Sequence, residues 1–190
     1  APAKESVLTA EDDVIDVTVK ITNTGNVAGK DAIQLYWKAP YYKGEIEKAD
    51  HVLCAFDKSE ELEPGESQYV QLSFHLQDVA NYDYNDANKN GFKGYELDAG
   101  DYQVILGKNA HEAYGFIPYS INAGIQFEND RFTGNKVENR FTDRGFLSSM
   151  PEGDLEFTQF SRADFEGTFP TTPDLESRKL SSNSKYETYD

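Results

Sequence analysis

Val70-Gln71-Leu72-Ser73-Phe74-His75-Leu76 alternates apolar and polar residues at every step. Successive side chains of an extended chain point to opposite sides, so this period predicts a strand with one buried and one wet face. The same pattern occurs upstream, where Ile15, Val17, Val19 and Ile21 oppose Asp16, Thr18, Lys20 and Thr22. Between the two lie Ile33, Leu35 and Trp37, with Gln34 and Tyr36 opposite, and a short apolar run Val52 to Phe56. Asn23-Thr24-Gly25-Asn26 and Glu63-Pro64-Gly65-Glu66 are turn formers. Pro40 closes the third run because proline cannot donate to a ladder. Downstream, Phe92 to Leu97 and the run Tyr102, Val104, Leu106 are expected to pair across Asp98-Ala99-Gly100-Asp101. Ile117 to Phe127 reads as one last strand and Gln77 to Tyr82 as a single helical turn. Short strands with one apolar face must bury it against a second sheet, so residues 1–128 are expected to form an all-β sandwich.

From Asn129 to Asp190 the alternation stops. Gly134, Gly145, Gly153, Gly167, Pro151, Pro170 and Pro173 interrupt every possible element, yet phenylalanines recur throughout. A solvated linker is polar and poor in aromatics. Residues 129–190 are therefore expected to be an extended, mostly irregular arm with Phe132, Phe141, Phe165 and Phe169 as its anchors. Such a length without regular structure is no compact domain. The arm is expected to rest on a surface partly outside these 190 residues.

Composition bounds the function. The chain carries 34 acidic and 18 basic residues, a formal charge of -16, which disfavours nucleic acid and anionic membrane as partners. No run approaches the length of a membrane-spanning segment. Twelve Tyr, twelve Phe and Trp37 are too many aromatics for a disordered chain. A single cysteine, Cys54, excludes an internal disulfide, and its neighbours Leu53, Ala55 and Phe56 suggest a buried thiol. The sequence starts at Ala1 and holds one methionine, Met150, so it is expected to be a processed product, a domain or a fragment. Nothing in it distinguishes a cytoplasmic from a secreted protein.

Several strings, taken in order, carry a resemblance. They are Val17-Thr18-Val19-Lys20-Ile21-Thr22-Asn23-Thr24-Gly25, Val27-Ala28-Gly29-Lys30-Asp31, Gln34-Leu35-Tyr36 and Ala39-Pro40-Tyr41-Tyr42. Leu62-Glu63-Pro64-Gly65-Glu66-Ser67, Tyr82-Asp83 and Asp98-Ala99-Gly100-Asp101-Tyr102-Gln103-Val104 follow. The series resembles the immunoglobulin-like, fibronectin type III-like domain of glycoside hydrolase family 3, the β-glucosidase and β-xylosidase family. Phe132-Thr133-Gly134-Asn135-Lys136-Val137-Glu138-Asn139-Arg140-Phe141 and Ser161-Arg162-Ala163-Asp164-Phe165-Glu166-Gly167-Thr168-Phe169-Pro170 look like the connector of its domain-permuted members, although Gln159-Phe160 departs from their pattern. The resemblance implies an α/β sandwich carrying the acid/base glutamate before Ala1. It implies a (β/α)8 barrel carrying the nucleophilic aspartate after Asp190. A β-linked oligosaccharide is then the substrate of the whole, reached through those domains.

The residues themselves offer little chemistry. Retaining glycosidases need two carboxyls about 5–5.5 Å apart with opposed pKa shifts, and no acid here stands in a motif that implies such tuning. No catalytic residue and no cofactor are therefore assigned. Asp86-Ala87-Asn88-Lys89-Asn90-Gly91 matches the start of a calcium loop, but Leu97 occupies the position that needs a bidentate glutamate. A polar hairpin loop is the expectation there, with no metal. His51, His75 and His111 lack ligand spacing. Trp37, Tyr41 and Tyr42 either pack in the core and between domains or border a cleft built by other domains. The rival reading is a free-standing immunoglobulin-like module that binds carbohydrate or protein.

Overall fold

The computed structural model describes residues 6–138 and 161–164. The chain divides into two compact units, Ala1–Asp154 and Leu155–Asp190. Of the second, Arg162–Asp164 form one 3-10 turn in which the Ala163 amide donates to Ser161 Oγ at 3.1 Å. Phe141, Phe165 and Phe169 lie outside the described residues.

The first unit is a sandwich of ten described strands. They are β1 (Ser6–Leu8), β2 (Val14–Thr22), β3 (Ala32–Lys38), β4 (Val52–Lys58), β5 (Ser67–His75), β6 (Asn81–Asp83), β7 (Gly94–Leu97), β8 (Gly100–Gly107), β9 (Ala113–Ile121) and β10 (Ile125–Phe127). One layer is a five-stranded sheet in the order β1-β9-β8-β3-β4, antiparallel except for β1 along β9. The other is divided into the pair β2-β5 and the short sheet β10-β7-β6. The period-two runs account for β2 and β5, which pair without a break from Val14↔His75 to Thr22↔Ser67. Val17, Val70, Leu72 and Phe74 point inward, and their polar alternates face water. Each buried aliphatic or Phe side chain stabilises by roughly 1.5–3 kcal/mol. Among the described residues no helix is long and apolar enough to cross a membrane.

Three local expectations change. Phe92–Leu97 and Tyr102–Leu106 do not form a hairpin. β7 pairs with β6 and β10, whereas β8 pairs with β3 and β9. The chain passes from one layer to the other at Asp98–Gly100, where Gly100 takes a φ of +143° and Tyr102 Oη donates to the Asp98 carbonyl at 2.8 Å. Ile117–Phe127 splits in the same way into β9 and β10 around the exposed Asn122-Ala123-Gly124 corner. The helical turn is shorter and earlier, Leu76–Val79, because Leu76 is drawn wholly into the core.

Trp37 sits at the centre of the core. It is 1% exposed, its ring stacked on Tyr102 with centroids 4.8 Å apart and edge-on to Phe74 at 5.8 Å. The expected arm begins as a tight hairpin. Val137 N–H donates to the Glu128 carbonyl at 2.8 Å, and Asp130 caps the turn through the Thr133 amide, also at 2.8 Å. Those hydrogen bonds hold the Asp130 carboxyl below its usual pKa. Arg131 grips Asp78 with two hydrogen bonds of 2.7 and 2.6 Å, so residues 129–138 are pinned to the sandwich at the 3-10 turn. Phe132 lies at the tip, exposed, with the Arg131 guanidinium 3.8 Å from its ring centre.

Candidate functional site: two loops joined at Asp98

The loop 39–51 joins β3 to β4, and the loop 84–93 joins β6 to β7. Both are fastened to one residue. Lys48 reaches in from the first loop and forms a buried ion pair with Asp98. Asn88 Nδ2 of the second donates to the other Asp98 oxygen at 2.9 Å. Lys48 also donates to the Pro40 carbonyl at 3.0 Å, closing the loop on its own stem. An ion pair removed from water holds its geometry only when its remaining valences are met, and here the amide and the carbonyl meet them.

Tyr41 and Tyr42 ride on this braced loop. Tyr42 Oη donates to the Ala99 carbonyl at 3.0 Å, and Lys48 Nζ stands 5.8 Å from its ring centre. Tyr41 Oη donates to Glu47 at 2.9 Å. Tyr42 is exposed and Tyr41 half-buried. A Cβ at Gly100 would come within 2.5 Å of Tyr42 Oη and 2.9 Å of Pro40. Glycine is thus required there both by close approach and by its positive φ. The structure brings Tyr41 and Tyr42 together at one end of the sandwich and separates them from Trp37, whose buried ring has no surface to present.

The calcium-like string closes upon itself as the β6–β7 hairpin loop. Asp86 Oδ1 accepts the Gly91 amide at 3.0 Å, and Asp83 accepts the amides of Asn85 and Ala87 at 3.1 and 2.7 Å. Asn90 Nδ2 donates to Glu96 Oε2 at 2.5 Å. Glu96 is 1% exposed, and among the described residues its Oε1 has no hydrogen-bond partner. Burial pushes its carboxyl pKa up, opposed by the Asn90 and Asn88 side chains and reinforced by the charges of Asp98 and Asp83. Among the described residues no group of three or more histidine, cysteine or acidic side chains is placed to hold a metal ion. His51 bridges Asp50 and the carbonyl of Ala110, the neighbour of His111, with its ring edge-on to Tyr36, whereas His75 pairs with Asp13.

A second concavity of about 790 Å³ lies between the three-stranded sheet and the 130–138 hairpin. Tyr82, Tyr84 and Tyr95 line it, with Tyr82 and Tyr95 edge to face at 5.0 Å. The Lys48–Asp98 pair and this tyrosine groove escape sequence reading, because neither has a local pattern. The only signal for the pair is a lysine in a turn-rich loop.

Residues 31–110 match the family described as fibronectin type III-like domain. β-Glucosidase A of Butyrivibrio fibrisolvens is 36% identical over 100 residues, which is 53% of this chain and 12% of that protein. Thermostable β-glucosidase B of Acetivibrio thermocellus is 26% identical over 158 residues, 83% of this chain and 20% of that protein. The solved structure of β-glucosidase 3B from Thermotoga neapolitana in complex with glucose matches 60% of this chain and 15% of its own, with a TM-score of 0.51 and 34% identity. The chain thus spans between one-eighth and one-fifth of the curated relatives it matches here.

Proposed function

We propose that this chain, whose residues 31–110 are a fibronectin type III-like domain, is a non-catalytic bracing segment of a longer β-glucosidase-type enzyme. The observation that carries the reading is the likeness of sandwich and arm together to one small part of such enzymes. An alignment covering 83% of the chain extends well past residue 138, so it takes in the arm as well as the sandwich. The buried acids point the same way. Asp98 is paired with Lys48, Glu96 lies under Asn90, and Asp83 is held by backbone amides. Each carboxylate is tied to neighbours within the sandwich.

In this reading the acid/base glutamate and the nucleophilic aspartate belong to an α/β sandwich and a (β/α)8 barrel elsewhere in the polypeptide, and the substrate is a β-glucoside or β-xyloside. The sandwich and its arm keep those two domains in register. Such bracing matters because a displacement of about 1 Å at a reacting group can cost on the order of 10²-fold in rate. The test compares the 190-residue chain with the complete polypeptide on an aryl-β-glucoside. Only the complete polypeptide is expected to release aglycone; turnover by the purified 190 residues would overturn the assignment. The alternative, a free-standing carbohydrate-binding module, would show itself as binding of cello- or xylo-oligosaccharides to the 190-residue chain, with the tyrosine groove as the place to look.

A further inference from the structure

The two layers of the sandwich treat their outer faces differently. The outer face of β2-β5 is polar: Asp16, Thr18, Lys20, Gln71 and Ser73 line it, with Ser73 donating to Asp16 at 2.5 Å. That is an ordinary solvated face. The outer face of the five-stranded sheet carries a lateral apolar row. Phe116 of β9 is in register with Ile105 of β8, Ile105 with Tyr36 of β3, and Tyr36 with Leu53 of β4. Directly opposed residues lie on one face, so these four side chains form one row across four strands. Its centre, Tyr36, is 7% exposed and lies edge-on to the His51 ring at 5.1 Å, so the exposed apolar surface sits on either side of it, at Phe116 and at Leu53.

Two devices flatten this stripe and extend it. The Tyr36 ring lies down over Gly107, where a Cβ would come within 2.7 Å of it, and Tyr36 Oη donates to Gln34 at 2.6 Å. A β-bulge at Cys54 shifts the register of β4, so that Leu53 opposes Tyr36 and Phe56 opposes Gln34, both on the outer side. Phe116 is 58% exposed, Leu53 49% and Phe56 73%.

We infer that this face is a docking surface for an apolar surface of a neighbouring domain of the same polypeptide. The inference rests on the bracing reading above. Three observations select the occupant. None of the row's own residues is charged although the chain carries 34 acids, and the charges nearest its centre, Lys38 and Asp50, are already paired with each other at 3.3 Å, so the row offers a partner apolar contact. Its exposed apolar area is on the order of 300–400 Å², against roughly 800 Å² per partner in a stable complex of separate proteins. An area of that size suits a partner held nearby by the chain itself, where tethering supplies an effective concentration in the millimolar range. Relatives that contain this domain are five to eight times longer than the part it matches, so tethered neighbours accompany it there.

Hydroxyl-radical footprinting of the complete polypeptide and of the 190-residue chain tests the inference. Oxidation of Phe56 and Phe116 is expected to fall at least about threefold in the complete polypeptide, because an interface core excludes water. Tyr69, 70% exposed on the polar face of β5, is the control and keeps its reactivity. Equal oxidation of Phe56 and Phe116 in both proteins would overturn the docking surface. So would protection that appears in the 190-residue chain with rising concentration, which marks a second copy, or on adding cello-oligosaccharide, which marks a sugar platform. Protection in a complete polypeptide that cleaves no aryl-β-glucoside would keep the surface and remove the enzymatic reading; cleavage without protection would do the reverse.

Discussion

Lys48 and Asp98, fifty positions apart in sequence, form an ion pair from which both side chains exclude almost all solvent. The pair ties the Tyr41–Tyr42 loop to the corner where the chain changes layers. Removing one partner strands the other as an unpaired buried charge. Lys48→Met is therefore expected to cost about 3–5 kcal/mol of stability, and the double change Lys48→Met with Asp98→Asn distinctly less. Urea unfolding followed by Trp37 fluorescence reads both. A loss below about 1 kcal/mol for Lys48→Met would mean the pair behaves as a screened surface bridge.

Glu96 gives the fold a pH dependence of defined sign. Its carboxyl pKa in the folded chain is raised by burial above the ordinary 4.5. The folded state thus holds the proton more tightly than the unfolded state does. Its contribution to stability is complete below pH 4.5 and is lost as pH rises through the elevated folded value. Glu96→Gln keeps an oxygen for Asn90 and carries no charge. Its unfolding free energy should fall less than that of the wild type between pH 4 and pH 8. Parallel pH profiles for the two proteins would show that the carboxyl is not responsible.

Gly100 meets two constraints at once, a φ of +143° and a gap too small for a Cβ beside Tyr42 Oη and Pro40. Gly100→Ala is expected to destabilise by about 1–3 kcal/mol through backbone strain alone, and more from the contact with Pro40. Combining it with Tyr42→Ala should recover part of the loss in thermal unfolding, since one of the two obstructing groups is gone. Strict additivity of the two changes would argue that the ring and the glycine do not meet.

How much of this was legible beforehand follows from the range of each interaction. β2 and β5 could be read because alternation is local and their polar faces are truly polar. β1 and β6 were too short to show a period. The 92–97 and 102–106 runs looked like a hairpin because the turn formers between them were visible, whereas the partners that compete for them, β6, β10, β3 and β9, lie elsewhere in the chain. Trp37 could be read as an apolar position but not as the hub beneath Tyr102 and Phe74, which are also distant in sequence. The apolar outer stripe was hidden for another reason. Its side chains share one face only through the registry of four strands and a bulge at Cys54, neither of which a single strand reveals.

Tyr41 and Tyr42 separate anchoring from contact. In the longer β-glucosidase-type polypeptide proposed above, replacing both by alanine is expected to raise KM about three- to tenfold with kcat nearly unchanged, a loss of uniform binding worth about 1 kcal/mol. Tyr42→Phe removes only the hydrogen bond to the Ala99 carbonyl and keeps the ring. If the rings border the cleft, that variant should retain most of the wild-type KM. An unchanged KM in the double alanine variant would confine this loop to a structural role.

Cys54 lies at the bulge of β4, where its thiol donates to the Leu35 carbonyl at 3.2 Å. Burial is the main reason its pKa is pushed up to about 12 from an ordinary 9.0. Only the thiolate attacks an alkylating agent, and a shift of this size lowers its population near pH 8.5 by on the order of 10³. The higher intrinsic nucleophilicity of a more basic thiolate offsets part of that loss, so iodoacetamide should modify the native chain on the order of tenfold to a hundredfold more slowly than it modifies glutathione, and at full speed in denaturant. Because the folded state keeps the proton longer, stability should also decline as pH climbs from 9.0 towards 12. Cys54→Ala should lessen that decline, the rest coming from the Tyr82, Tyr102 and Tyr119 phenols, whose pKa values burial also raises, while leaving the bulge, which the registry with Leu35 and Tyr36 sets. Rapid alkylation of the native chain at pH 8.5 would mean that β4 opens readily at this edge, and that the outward placement of Leu53 and Phe56 is not held.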